Sequence, residues 1–176
     1  NSVFDGAQGT YTMWVKPSTV TDSDQIFHKD GIGNNLGDFD TNIDSSTITL
    51  QLELGGSSVV ELTLPISANV WTHVSGTCGS DGFKLYMNGR LADSDANTNC
   101  WTRATSITIG VNGGENNNDY TGYVDEVMIF SEQLDADDIG EIYEGKAATL
   151  TANETSPGDT WKACGIPNDP WAIGEE

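Results

Sequence analysis

The sequence predicts an all-β sandwich of two antiparallel sheets, with one short helix near 135–144. Three observations carry this. Apolar residues alternate at period 2 in one segment after another, the spacing that puts every second side chain on one face of a strand. The segments are short and punctuated by turn residues, and the chain holds 20 glycines, which suits many strands joined by tight turns. Only one stretch is periodic as a helix, so the strand–helix alternation of a parallel sheet is missing.

The first strand is "YTMWVKP", Tyr11 to Pro17, which alternates until the proline stops it. "DQIFHK", Asp24 to Lys29, is the second. Asp30 to Asp38, "DGIGNNLGD", reads as a loop on its turn chemistry. Ser46 to Leu54 places Ile48, Leu50, Leu52 and Leu54 on one face. Gly55 and Gly56 turn the chain, and Val59 to Leu64 returns before Pro65. Trp71 to Cys78 leads through "GSDG" into Phe83 to Met87. Asn88 and Gly89 are the pair that a two-residue hairpin turn of type I′ favours, since both positions take positive φ. Arg90 to Asp93 is therefore expected to pair back. Ser106 to Gly110 and Gly122 to Phe130 are the last strands, with a polar loop from Asn112 to Asp119 between them. In the helix, Leu134, Ile139, Ile142 and Tyr143 share one side. Asp135 can cap it, with Asp138 three residues on. The sandwich takes residues 1–150. Residues 151–176 read as an irregular tail packed on it, because proline and glycine crowd the stretch from Trp161 to Trp171.

Charge narrows the classes of partner. The chain has 176 residues with 27 acidic and 7 basic side chains, a net charge of −20. Such a field repels phosphate backbones and anionic membrane surfaces, so no nucleic acid and no membrane contact by this segment are expected. No run of apolar residues is long enough to span a bilayer. The chain begins at Asn1 without an initiator Met, so it reads as a processed piece with any export signal upstream. Three cysteines occur without a CxxC pair or a Cys/His cluster, which speaks against zinc. Cys78 and Cys100 flank one predicted hairpin and form the expected disulfide. The alternative ties Cys164 to one of them and pins the tail.

The order "YTMWVKP", "WTHVSGT", "FKLYMNG", "ITIG", "GYVDEVMIF", "LDADDIGEIY" resembles the laminin-G-like jelly-roll family, and equally the concanavalin A-like and pentraxin-related modules. The resemblance covers roughly residues 11 to 144. It implies a two-sheet antiparallel jelly-roll sandwich. Beside it, the residues themselves place Trp14 and Trp71, large side chains on predicted strands, in the core between the sheets, and the helix over one end. The sequence departs from the family at its start. "FDG" at Phe4 to Gly6 stands only a few residues before Tyr11, where the family carries over twenty. The first strand is thus shortened, replaced or supplied from elsewhere.

Catalysis finds no support. Glycan-cleaving relatives by fold need carboxylates at alternate positions of one strand, whereas Asp125 and Glu126 are adjacent and alternate to opposite faces. A lyase of the alginate type needs a Gln-Ile-His strand. In Gln25 to His28 the extra Phe27 puts His28 on the other face from Gln25. No catalytic residue is assigned.

The resemblance also implies Ca²⁺ at a rim of the sandwich, held by oxygen ligands. Asp38 in "GDF" matches the first aspartate of such sites and Asp119 in "NDYTG" the second. The competing reading of both is a solvated turn. Asp125 is a third candidate, since alternation places it inward with Val127 and Ile129, where a carboxylate needs a cation or backbone N–H partners. Among aromatic residues outside the strands, Trp101 and Tyr120 are the candidate sugar platforms. Trp161 and Trp171 read as buried staples of the tail.

Together these features predict a non-catalytic, extracellular or cell-surface binding and adhesion module. It would recognise glycan or extracellular protein through rim loops, with Ca²⁺. The alternative is a structural head domain or subunit of a surface filament or pilin-like protein, with self-association.

Overall fold

A computed structural model describes residues 7–21, 23–31, 36–54, 57–100, 104–111 and 119–145. Ten strands and one helix follow in order: β1 (Gly9–Pro17), β2 (Asp24–Gly31), β3 (Leu36–Asp44), β4 (Thr47–Leu54), β5 (Ser57–Pro65), β6 (Thr72–Cys78), β7 (Phe83–Met87), β8 (Arg90–Asp95), β9 (Ala104–Ile109), β10 (Gly122–Phe130) and α1 (Ala136–Tyr143). They form two five-stranded sheets. The first runs β10-β1-β6-β7-β8, the second β5-β4-β3-β2-β9. Every pairing within both sheets is antiparallel. This is the two-sheet jelly roll that the sequence predicts.

Strand alternation fills the space between the sheets. Tyr11, Met13 and Val15 of β1 face Phe27, Phe39, Ile43, Ile48 and Leu50 of the second sheet, all fully buried. The Tyr11 and Phe27 rings stack at 4.4 Å between centroids. The Tyr11 hydroxyl shares a 2.6 Å hydrogen bond with Thr41, which satisfies both polar groups inside the core. Cys78 and Cys100 form a disulfide with their Cα atoms 5.4 Å apart, closing the β7–β8 hairpin onto β6. The hairpin turns at Ser45–Ser46 (φ 50° and 64°) and Asn88–Gly89 (φ 50° and 74°) have positive φ at both central residues. That geometry matches the twist of the flanking strands.

Three expectations are corrected. The expected loop from Asp30 to Asp38 is strand at both of its ends: β2 continues to Gly31 and β3 starts at Leu36. Phe39, Thr41 and Ile43 point inward while Asp40 and Asn42 point outward, an alternation masked by residues of poor strand propensity. Trp14 and Trp71 are not core residues. Trp14 alternates with the inward Met13 and Val15 and lies half-buried on the outer face, and Trp71 is 41% exposed. Asp125 is exposed rather than inward. The cause is a β-bulge. Between the pairs Thr12↔Met128 and Trp14↔Asp125, β1 has one residue and β10 has two, so alternation changes phase at Glu126. Val124 and Ile129 therefore both pack on the core although one is even-numbered and the other odd.

The helix forms as predicted. Asp135 accepts from the backbone N–H groups of Asp137 and Asp138, and Asp138 accepts from the Asp135 N–H, a complete capping box. Ile139 and Ile142 are its buried residues. Tyr143 lies against Gly89, where any Cβ would meet the ring. The connection before α1 is bound to the first sheet. The Thr10 hydroxyl donates to the Glu132 carbonyl at 2.8 Å and accepts from the Leu134 N–H at 2.9 Å.

Candidate functional site

Register defines a small grid on the outer face of the first sheet. Trp14 of β1 lies between His73 of β6 and Asp125 of β10, and the next residue row is Lys16 beside Tyr123. Trp71 precedes β6 and shares parity with His73. Its ring centroid is 6.4 Å from that of Tyr123, which is 63% exposed. The Lys16 ammonium lies 5.9 Å from the Tyr123 ring centroid. Behind Trp14 the rings of His73 and Tyr143 stand at 5.3 and 5.6 Å, and they fix one side of the indole.

Trp14, Trp71, Asp125 and Glu126 together line an open cleft of about 310 Å³. The bulge creates it. In unbroken alternation the adjacent carboxylates would take opposite faces, but the bulge brings both to one side. Glu126 holds φ at 47°, a conformation that costs a non-glycine residue roughly 1–2 kcal/mol. Asp125 supports it by accepting from the Glu126 N–H at 2.8 Å. Both carboxylates are exposed, and among the described residues neither has an ion-pair partner. His73, beside Trp14 in register, is buried by contrast. It is 1% exposed, and one ring nitrogen, Nε2, is hydrogen-bonded to Thr12 at 3.1 Å. Burial pushes its pKa down to about 4, so the imidazole is neutral near pH 7.

The residues proposed from sequence fall elsewhere. Asp119 is exposed and bridges to Gln25 at the start of β2. Asp38, described only by its backbone, precedes Phe39, which pairs with Lys29 toward the other end of β2. At ~3.3 Å per residue the backbone positions of the two aspartates lie roughly 15 Å apart along β2. Among the described residues no group of three or more acidic, His or Cys side chains gathers as a metal site. Asp24 is the carboxylate nearest Asp119 in register, and it accepts from the Thr121 N–H at 3.4 Å. Tyr120 is half-buried against the core, and its phenol donates to the Tyr123 carbonyl at 3.3 Å. Burial raises its pKa well above the usual tyrosine range. Trp101, Trp161, Trp171 and Cys164 lie outside the described residues.

The outer face of the second sheet needs a second correction. A bulge between Gln25 and Phe27 shifts β2, so Gln25 pairs with Asn42 and His28 with Asp40. Gln25 and His28 therefore share a face. His28 is hydrogen-bonded through Nδ1 to Asp40, and both are buried. Among the described residues the outward positions of this sheet's neighbouring strands, such as Thr49, Gln51, Glu61, Thr63 and Thr108, include no Arg and no Tyr.

A signal for the cleft was present in part. Trp14 alternates with Thr12 and Lys16, and Trp71 with His73 and Ser75, which marks an outer face. Nothing local marks Glu126, because the bulge depends on the pairing of β10 with β1.

A family profile described as the concanavalin A-like lectin/glucanases superfamily matches residues 1–140. The chain belongs to this superfamily. No curated protein sequence matches the chain. Among solved structures, this superfamily member is similar to a heptameric SAP-like pentraxin from Limulus polyphemus. The two are 21% identical with a TM-score of 0.63, over 78% of this chain and 70% of the pentraxin. It is similar to domain 4 of AbnA, a GH43 extracellular arabinanase from Geobacillus stearothermophilus, in complex with arabinotriose (20%, 0.63, 79% and 68%). It also resembles a structure of botulinum neurotoxin type C, whose cell entry depends on interaction with two ganglioside molecules (19%, 0.60, 79%). It spans only 36% of that last chain. At these identities the likeness establishes the fold.

Proposed function

We propose that this superfamily member is a non-catalytic, extracellular glycan-binding module whose contact site is the Trp14–Trp71 cleft rather than the rim loops. The observation that carries the reading is the pair of indoles lining an open cleft beside two exposed carboxylates. Indole faces stack on the apolar face of a pyranose or furanose, and carboxylates accept from its hydroxyls. The arabinotriose complex of a structural neighbour and the lectin membership of the superfamily agree with it. A general acid for glycoside cleavage is normally buried, and both carboxylates here are exposed. The disulfide suits an oxidising compartment, and among the described residues no helix is long and apolar enough to cross a membrane.

An array of neutral oligosaccharides tests the reading. Binding should fall at least about tenfold, or about 1.4 kcal/mol, in Trp71→Ala. Equal binding by the variant, or no binding of any glycan by the wild type, overturns it. Calcium dependence is tested alongside by melting with millimolar Ca²⁺ and with chelator. A rise that Asp119→Ala removes would place an ion at the Asp119 end. An unchanged curve would leave Asp119 a solvated residue.

A structural subunit of a surface filament is the second reading, favoured by one observation. Among the described residues β10 is the outermost strand of the first sheet, and Tyr123 and Val127 on it are exposed. A strand from a neighbouring copy would add at that edge. Sedimentation of the concentrated protein decides it: a monomer at all concentrations rejects self-assembly.

A further inference from the structure

We infer that the cleft selects a sugar bearing a protonated amine over neutral and N-acetylated sugars. This rests on the glycan reading above and specifies its ligand. The argument begins with the bulge. Without it, Asp125 and Glu126 would lie on opposite faces, and the left-handed turn at Glu126 would be unnecessary. With it, two carboxylates enter a cleft walled by two indoles.

Neutral hydroxyls do not call for two adjacent negative charges. A cation close to both is attracted by each and offsets the repulsion between them. The chain supplies none within ion-pair distance of either, among the described residues. Lys16, one row along the same face from Trp14, lies over the Tyr123 ring instead. An ammonium group is also attracted to the electron-rich indole faces, so Trp14, Trp71 and the carboxylates favour the same ligand charge. A peptide lysine would satisfy the charge but offers a flexible chain to the indoles. A sugar amine offers charge and a rigid apolar face together.

Calorimetric titration with three β-1,4-linked tetramers tests this: glucosamine, N-acetylglucosamine and glucose. At about pH 6 carboxylates are ionised and amines protonated. The glucosamine tetramer should bind at least about tenfold tighter than the other two. The double variant Asp125→Asn, Glu126→Gln should lose that advantage, its affinity for the glucosamine tetramer falling to that for the glucose tetramer. Asp44→Asn with Glu61→Gln, an equal charge change on exposed positions of the second sheet, should keep it. Equal affinity for all three tetramers overturns the inference and leaves the glycan reading intact. An advantage lost equally in both double variants also overturns it, since the preference would then come from the net charge of the whole chain. If no tetramer binds and the array is also blank, both readings fall. If lysine-rich peptides bind as tightly as the glucosamine tetramer, the sugar assignment is overturned.

Discussion

At the scale of single residues, His73 connects the candidate site to stability. Its ring is packed between Trp14 and Tyr143 on an outer face, yet it is almost wholly buried. Desolvation disfavours the charged imidazolium and moves its pKa from 6.5 to about 4. A depressed histidine pKa means the unfolded chain binds a proton that the folded one refuses. Stability from this group is therefore complete above pH 6.5 and is lost as pH falls toward 4. Urea unfolding across that window should show the midpoint falling with acid. In His73→Phe, which keeps the ring packing and cannot protonate, the fall should be shallower. Parallel slopes for the two proteins would mean that His73 is not the titrating group.

At the scale of elements, two local devices set the geometry around the site. The first is the capping box of α1. Asp135 serves two backbone N–H groups that would otherwise lack partners. Asp135→Ala should cost about 1 kcal/mol in equilibrium unfolding and free the Tyr143 end of the helix. An unaffected stability would show that packing of Ile139 and Ile142 alone holds α1. The second is the bulge in β10. Glu126→Gly removes the clash of a side chain in left-handed backbone, although glycine adds chain entropy to the unfolded state. The net should be a gain of up to about 1 kcal/mol. The same variant should weaken binding to the cleft. A stabilised protein with weakened binding is the signature of strain held for function. A destabilised one would show that the Glu126 side chain contributes to the fold.

At the scale of the whole molecule, the sandwich holds together with few basic groups. Among the described residues Lys84 pairs with Asp81, and His28 is hydrogen-bonded to Asp40. Stability therefore comes from the apolar layer between the sheets and from the disulfide, with self-repulsion of a −20 charge working against them. Cys78 and Cys100 are 22 residues apart, so reducing their bond should cost about 3 kcal/mol by loop closure in the unfolded chain. Denaturation with and without reductant measures it. A difference under about 1 kcal/mol would mean that the strand pairings already restrict this loop. Added salt should raise the melting temperature by screening the like charges.

The sequence by itself determined the antiparallel sandwich, the strand sequence apart from β3, the I′ turn at Asn88–Gly89 and the cap of α1. Each is written in a few neighbouring residues, whether as alternation, turn chemistry or a side chain reaching its own backbone. The same rule carried a signal for the outward rows of Trp14 with Lys16 and Trp71 with His73, but the expectation that large aromatic rings fill the core overrode it. The β3 strand was hidden because Asp40 and Asn42, residues of poor strand propensity, occupy its outward positions. Only the tertiary structure decided the phase of the two bulged strands. Whether β10 keeps or breaks its alternation at Glu126 depends on its register against β1, far away in the chain. So does the sharing of a face by Gln25 and His28, which follows from the pairing of β2 with β3. A bulge adds one residue opposite a partner strand, so its position is a property of two segments together. The cleft formed by Trp14, Trp71, Asp125 and Glu126 could not be read from any one of them.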